Sequence, residues 1–177
     1  EGLLQASDLA LYACKSSGKN KYMYFEADMD AAGMERLALE NDLRHALEQG
    51  QLQLYYQPQV DTLSGEVVGA EALMRWDHPD QGMVPPYKFI SLAEEMGLIG
   101  ALGEWGLKEA CRQMLELQSR GLELPQISVN VSALQFNPQF ITKVAEILLD
   151  TGLHPRRLKL ELTEGIMVDD TPATIAA

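Results

Sequence analysis

A chain of 177 residues, 46% hydrophobic and 23% charged, is long enough to bury one good core, which favours one domain or one domain and a fragment. Its net charge of −12 argues against a general binder of DNA or RNA, whose footprint is basic, but leaves room for one particular anionic ligand met by cations and a few arginines. No apolar run approaches the roughly 18 residues that span a bilayer, and no secretory signal opens the chain.

The first residue is not methionine, and Glu1-Gly-Leu-Leu runs straight into a helical pattern, so the chain reads as a segment of something longer. Over residues 3–16, Leu3, Leu4, Leu11 and Tyr12 with alanines between them predict a short amphipathic helix, stopped by Ser17-Gly18. Lys21 to Phe25 is aromatic and strand-like. Asp28 to Ala32 reads as a polar hinge and a boundary. A second helix is expected from about Ala31 to Gln49, with Leu39, Leu43, Ala46 and Leu47 as its stripe, a Glu40–Arg44 pair, and Gly50 at its end. The expected division is 1–30, a linker helix at 31–50, and a domain from 51 to 177. Cys14 and Cys111 match no metal or redox spacing and suit reduced core thiols of a cytosolic protein.

Leu52 to Val60 alternates as a strand, and the short turn Asp61–Gly65 implies an antiparallel partner in Val67 to Trp76. His78 to Pro86 reads as a Pro/Gly-rich loop. Helical patterns follow at about Tyr87–Met96 and Ala101–Ser119. Gln126 to Ser132 is a strand, Asn137-Pro138 starts a helix that Gly152 ends, and Leu158 to Glu164 is a further strand. Strand, helices, strand, helix, strand is the βα repeat of a parallel sheet with right-handed crossovers.

The strand 67–76 carries Glu71 and Arg75 on one face and Val68, Ala70, Ala72, Met74 and Trp76 on the other. A carboxylate on a buried strand must be paired, neutralised or metal-bound, and an ion pair with Arg75 and a metal site are both open from this strand alone. The later strands carry Asn130, then Glu161 with Glu164 just beyond, towards their C-terminal ends. In a βα barrel those ends converge on one mouth, so three strands repeating the pattern favour a site. Oxygen donors alone suit Mg²⁺ or Mn²⁺ better than zinc. Arg75 suits a phosphate oxygen pair, and the set as a whole suggests metal-assisted attack on a phosphate ester. His45, His78 and His154 show no ligand spacing and read as surface or packing residues.

Gly69-Ala-Glu71-Ala-Leu73-Met-Arg75-Trp76 resembles the signature of EAL-domain cyclic di-GMP phosphodiesterases. The resemblance extends to LQLYYQPQV from Leu52, the run from His78 to Ile99, SVNVSALQF from Ser128 and LKLELTEG from Leu158, over roughly residues 36–177. It implies an α/β fold, a TIM-like (βα)8 barrel with an antiparallel first strand, of which about the first half lies in this chain. It implies hydrolysis of cyclic di-GMP to pGpG with Mg²⁺ or Mn²⁺, and a homodimer through the EAL domain. Carried over by position, Glu71, Asn130, Glu161 and Glu164 match metal-site residues, Glu71 and Glu164 being the catalytic pair. Arg75 and Gln57 match contacts to phosphate and guanine, while Leu73 and the Pro85–Phe89 loop wall the site.

Residues 1–30 resemble the closing helix and strand of a GGDEF diguanylate cyclase domain, through Ser7-Asp-Leu-Ala-Leu and the Gly18-Lys-Asn20 turn. The expected place is the cytoplasm, with any membrane anchor upstream. The family's later paired aspartates, lysine and further glutamate fall beyond residue 177, so this chain taken alone is expected to be inactive. For the parent protein the expectation is an active phosphodiesterase; the alternative is a catalytically inactive receptor that binds cyclic di-GMP.

Overall fold

The computed structural model describes residues 27–162 together with 7, 10, 11, 22, 24 and 25. Two compact units emerge, 1–45 and 46–177. In the first, residues 7, 10 and 11 are helical, as the pattern at 3–16 predicts, while Tyr22, Tyr24 and Phe25 lie in no strand. Helix α1 runs from Ala27 to Ala46, so the hinge expected at Asp28–Ala32 is helical. Only polarity suggested a break there, and polar residues other than proline or glycine do not stop a helix. Along α1, Glu40 pairs with Arg36 at 3.0 Å and not with Arg44.

The second unit is built on a mixed sheet. Strand β1 (Leu52–Val60) pairs antiparallel with β2 (Val67–His78), and β2 pairs antiparallel with a short β3 (Gly82–Val84). Helices α2 (Pro86–Glu95) and α3 (Ile99–Ser119) lead to β4 (Ile127–Val131), and α4 (Pro138–Thr151) leads to β5 (Leu158–Leu162). Strands β2, β4 and β5 are parallel neighbours, giving the order β1-β2-β4-β5.

The turn into β2 is fixed by Asp61, whose Oδ1 accepts from the Leu63 and Ser64 N–H groups at 3.0 and 2.8 Å. Those bonds favour the ionised carboxylate and hold its pKa below the ordinary range. The loop expected at His78–Pro86 holds β3. Its three residues are too few to show a period in sequence. His78 is buried, not at the surface: its Nδ1 accepts from the Asp80 and Gln81 N–H groups at 3.1 and 3.2 Å, and its ring meets Trp76 edge-on.

One face of the sheet is apolar and covered. Ala72, Ile127, Val129 and Val131 pack with Leu107, Ala110, Cys111 and Met114 of α3 and Phe140 and Ile147 of α4. The α3 positions recur at helical spacing, which is why this helix presents one stripe to the sheet. Each large side chain so buried contributes about 1.5–3 kcal/mol. Helix α4 starts at Asn137, whose Oδ1 accepts from Phe140 N at 2.8 Å. It ends at Gly152, whose left-handed φ of 77° suits glycine. The opposite face of β2 and its neighbours carries the polar residues.

Candidate active site

Parallel pairing brings the C-terminal ends of β2, β4 and β5 side by side, and strand alternation puts Glu71, Leu73 and Arg75 of β2 on one face. Gln57 of β1 stands directly opposite Glu71 in register, and Glu161 of β5 stands opposite Asn130 of β4. Asn130 Nδ2 donates to Glu71 Oε1 at 2.6 Å. A carboxylate can only accept, so this bond fixes which way the amide points and leaves Asn130 Oδ1 free to accept or to ligate.

Glu71 and Arg75 do not form the ion pair left open by the sequence. Arg75 instead donates through Nη1 to the Met74 carbonyl at 2.9 Å, with its guanidinium 5.5 Å from the centre of the Tyr55 ring. Tyr55 lies opposite Leu73 on β1 and so shares the polar face. The Arg75 cation is thereby held near the strand end, and among the described residues no carboxylate pairs with it.

Glu161 has a partner that sequence reasoning passed over. Lys159 Nζ lies 2.9 Å from Glu161 Oε1. This ammonium, with help from Ser128 and Gln59, holds the Glu161 carboxyl below the ordinary carboxylate range. Lys159 and Glu161 have the same parity on β5, so the signal was present in the alternation. Ser128 Oγ, on the same face of β4 as Asn130, is buried beside Glu161 and turned towards that carboxylate.

A cavity of about 450 Å³ opens beside the ends of β2 and β4, lined by Leu73, Arg75 and Asn130 with Pro86, Ile90 and Ser132. The segment expected as a wall, Pro85–Phe89, therefore contributes only in part. Phe89 is fully buried, edge-on to Trp76 at 5.9 Å, because an aromatic ring gains more from the core than from a wet rim. Glu164 lies outside the described residues. Among the described residues no group of three His, Cys, Asp or Glu could hold a metal; Glu71, Asn130 and Glu161 offer two carboxylates and an amide oxygen. No helix among the described residues is long and apolar enough to cross a membrane.

A family model described as EAL domain matches residues 40–177. The chain is 44% identical over 174 residues to the bifunctional diguanylate cyclase/cyclic di-GMP phosphodiesterase MucR of Pseudomonas aeruginosa, covering 98% of this chain and 25% of that protein. It is 37% identical over 169 residues to the cyclic di-GMP phosphodiesterase PdeR of Escherichia coli, covering 95% and 25%. Among solved structures it is similar to the MucR phosphodiesterase in its c-di-GMP complex, with a TM-score of 0.73, 45% identity, and coverage of 78% of this chain and 57% of that one. It is also similar to the Xanthomonas citri FimX EAL domain in complex with c-diGMP, with a TM-score of 0.64, 27% identity, and coverage of 76% and 52%. The chain spans about a quarter of the length of the curated relatives it matches. Its α/β sheet with an antiparallel first strand is that of part of a TIM-like barrel, as the sequence predicts.

Proposed function

The chain belongs to the EAL domain family, and from that premise we propose that it forms part of a cyclic di-GMP phosphodiesterase, a hydrolase opening the cyclic dinucleotide to linear pGpG. The observation that supports this best is the bond from Asn130 to Glu71, with Glu161 next in register at the same end of the sheet. Similarity to proteins named as cyclic di-GMP phosphodiesterases supports it further.

Phosphodiesterases of this family are metal-dependent. The donors on the page are hard oxygens, and the Asn130 amide already faces Glu71 through its nitrogen, so the set fits Mg²⁺ or Mn²⁺ held by Glu71, Asn130 and Glu161. Glu164 joins them as fourth ligand, and as catalytic partner to Glu71, on the resemblance alone. A divalent cation bound there supplies a water of lowered pKa and offsets charge on the phosphoryl oxygens.

The chain's own residues do the rest. Arg75, braced over Tyr55, presents its guanidinium to a phosphate. Gln57 takes the guanine end, and Leu73 walls the cavity beside Arg75. Lys159 keeps Glu161 charged.

Residues 1–30 are read as the tail of a GGDEF domain, which the 98% coverage in the match to a bifunctional cyclase/phosphodiesterase supports. A homodimer through the EAL domain and a cytoplasmic location complete the reading. The test is chromatography of cyclic di-GMP incubated with the full-length protein and Mn²⁺ or Mg²⁺. Accumulation of pGpG is expected; cyclic di-GMP bound but not cleaved would make the protein a receptor instead.

A further inference from the structure

The exit of β4 is tied to two helices by hydrogen bonds and packing that play no part in the site described above. Ser132, the residue after the strand, is buried, and its hydroxyl donates to Glu94 Oε1 of α2 at 2.6 Å. The same hydroxyl oxygen accepts from Leu134 N at 3.3 Å, and the Ser132 N–H donates to Gln135 Oε1 at 3.2 Å. Gln135 in turn lies so close to Gly103 of α3 that a Cβ there would come within 2.0 Å of its Nε2.

This is more than a single short turn requires. The serine cap with its glutamine partner already satisfies the backbone at Ser132 and Leu134. The bond to Glu94 adds a charge-assisted contact, of the stronger kind, that reaches across from a different helix. Asn130 lies two residues before Ser132 on the same strand face, and its amide fixes the Glu71 carboxylate. That amide has to be held: turned over, it would offer Nδ2 where a cation needs Oδ1. The chain of contact therefore runs from Glu94 through Ser132 and the β4 backbone to Asn130 and Glu71.

We infer that Glu94 is a positioning residue of the site: by holding Ser132 it fixes the end of β4, and with it the Asn130 amide and the Glu71 carboxylate. The inference rests on the metal-dependent phosphodiesterase reading. Glu94 acts only through Ser132. Its removal loosens the ligand set without taking a ligand away.

The experiment is calorimetric titration of Mn²⁺ into the metal-free full-length protein, with melting temperatures measured alongside. Glu94→Ala is expected to weaken Mn²⁺ binding about tenfold, the size typical of groups that orient metal ligands. Glu94→Gln, whose amide oxygen still accepts from the Ser132 hydroxyl, is expected to stay within about threefold of the parent. A purely structural role would lower the melting temperature and leave the Mn²⁺ affinity of the folded protein unmoved, which overturns the inference. Should Glu94→Ala not fold, Ser132→Ala removes the same bond and carries the test with the same two outcomes. Hydrolysis of cyclic di-GMP by the unsubstituted protein is assayed in parallel. If Mn²⁺ binds but no pGpG forms, the substrate reading falls while the positioning role is still decided by the variants. If the unsubstituted protein binds no Mn²⁺, both fall.

Discussion

Glu71 and Asn130 lie on neighbouring parallel strands but are not register partners: Glu71 stands opposite Ser128, and its carboxylate reaches one pleat further along to accept the Asn130 amide at 2.6 Å. The offset carries the β2 carboxylate to the level where Glu161 meets Asn130 from the other side. Three side chains from three strands are gathered at one height by this single reach.

Removing that carboxylate should be decisive. On the proposed site, Glu71→Ala is expected to lower pGpG formation by about a hundredfold or more, since it would take away both a metal-binding charge and the partner of Asn130. Calorimetry should show weakened Mn²⁺ binding in the same variant. Turnover and Mn²⁺ affinity that both survive would remove Glu71 from the site.

Arg75 should behave differently. Its guanidinium has no carboxylate partner among the described residues and is braced on Tyr55. A charge-assisted bond to phosphate is worth about 1.5–3 kcal/mol, so Arg75→Ala should raise KM for cyclic di-GMP by about ten- to a hundredfold. The change in kcat should be the smaller of the two. Arg75→Lys should recover little, because an ammonium lacks the planar fork. An unchanged KM would count against the phosphate role.

Glu161 gives a pH prediction. Lys159 holds its carboxyl below the ordinary range, so the unfolded chain binds this proton more readily than the folded one. The contribution to stability is therefore complete above the ordinary carboxylate pKa and is lost as pH falls through the lowered folded value. It is small, because Lys159 and Glu161 are both partly open to solvent. Lys159→Met should return the Glu161 pKa towards the ordinary value in a carboxyl NMR titration. A pKa that stays low would mean that Ser128 and Gln59 suffice.

Gly103 and Gln135 allow a double-mutant test. Gly103→Ala puts a methyl where the Gln135 amide lies, so the glutamine must leave and its bond to Ser132 N is broken. The expected loss is about 1–3 kcal/mol in urea unfolding, against the gain that alanine normally brings to a helix. With Gln135→Ala already present, Gly103→Ala should cost nothing or stabilise. Additive losses would place the strain elsewhere.

The parity of β2, β4 and β5 was legible because these strands are apolar on the face that meets α3 and α4, so each polar residue stands out against a period of two. That period alone puts Glu71, Arg75, Asn130 and Glu161 on one face. What Arg75 does there was not legible, since an i,i+4 pair along a strand looks plausible in sequence while the Tyr55 ring comes from the neighbouring strand. Glu94 was invisible for the same reason: its partner Ser132 is brought to it by a fold-level crossover, with no local spacing to read. β3 and the burial of His78 were lost in a Pro/Gly-rich stretch too short to have a period.

The tight Asp61 turn between β1 and β2 also bears on the order in which the chain assembles. Its contacts are local, so closing this hairpin loses little loop entropy and can proceed early, on a microsecond scale of about 1–10 μs for such units. The parallel partner β4 arrives only after the long crossover from His78 to Ile127, and β5 after another. The hairpin would then serve as the template on whose Ala70–Ala72 edge β4 docks. Since the Asn130–Glu71 bond spans that crossover, the proposed ligand set would be completed late, and misfolded chains with an intact hairpin would carry Glu71 and Arg75 without Asn130 in place.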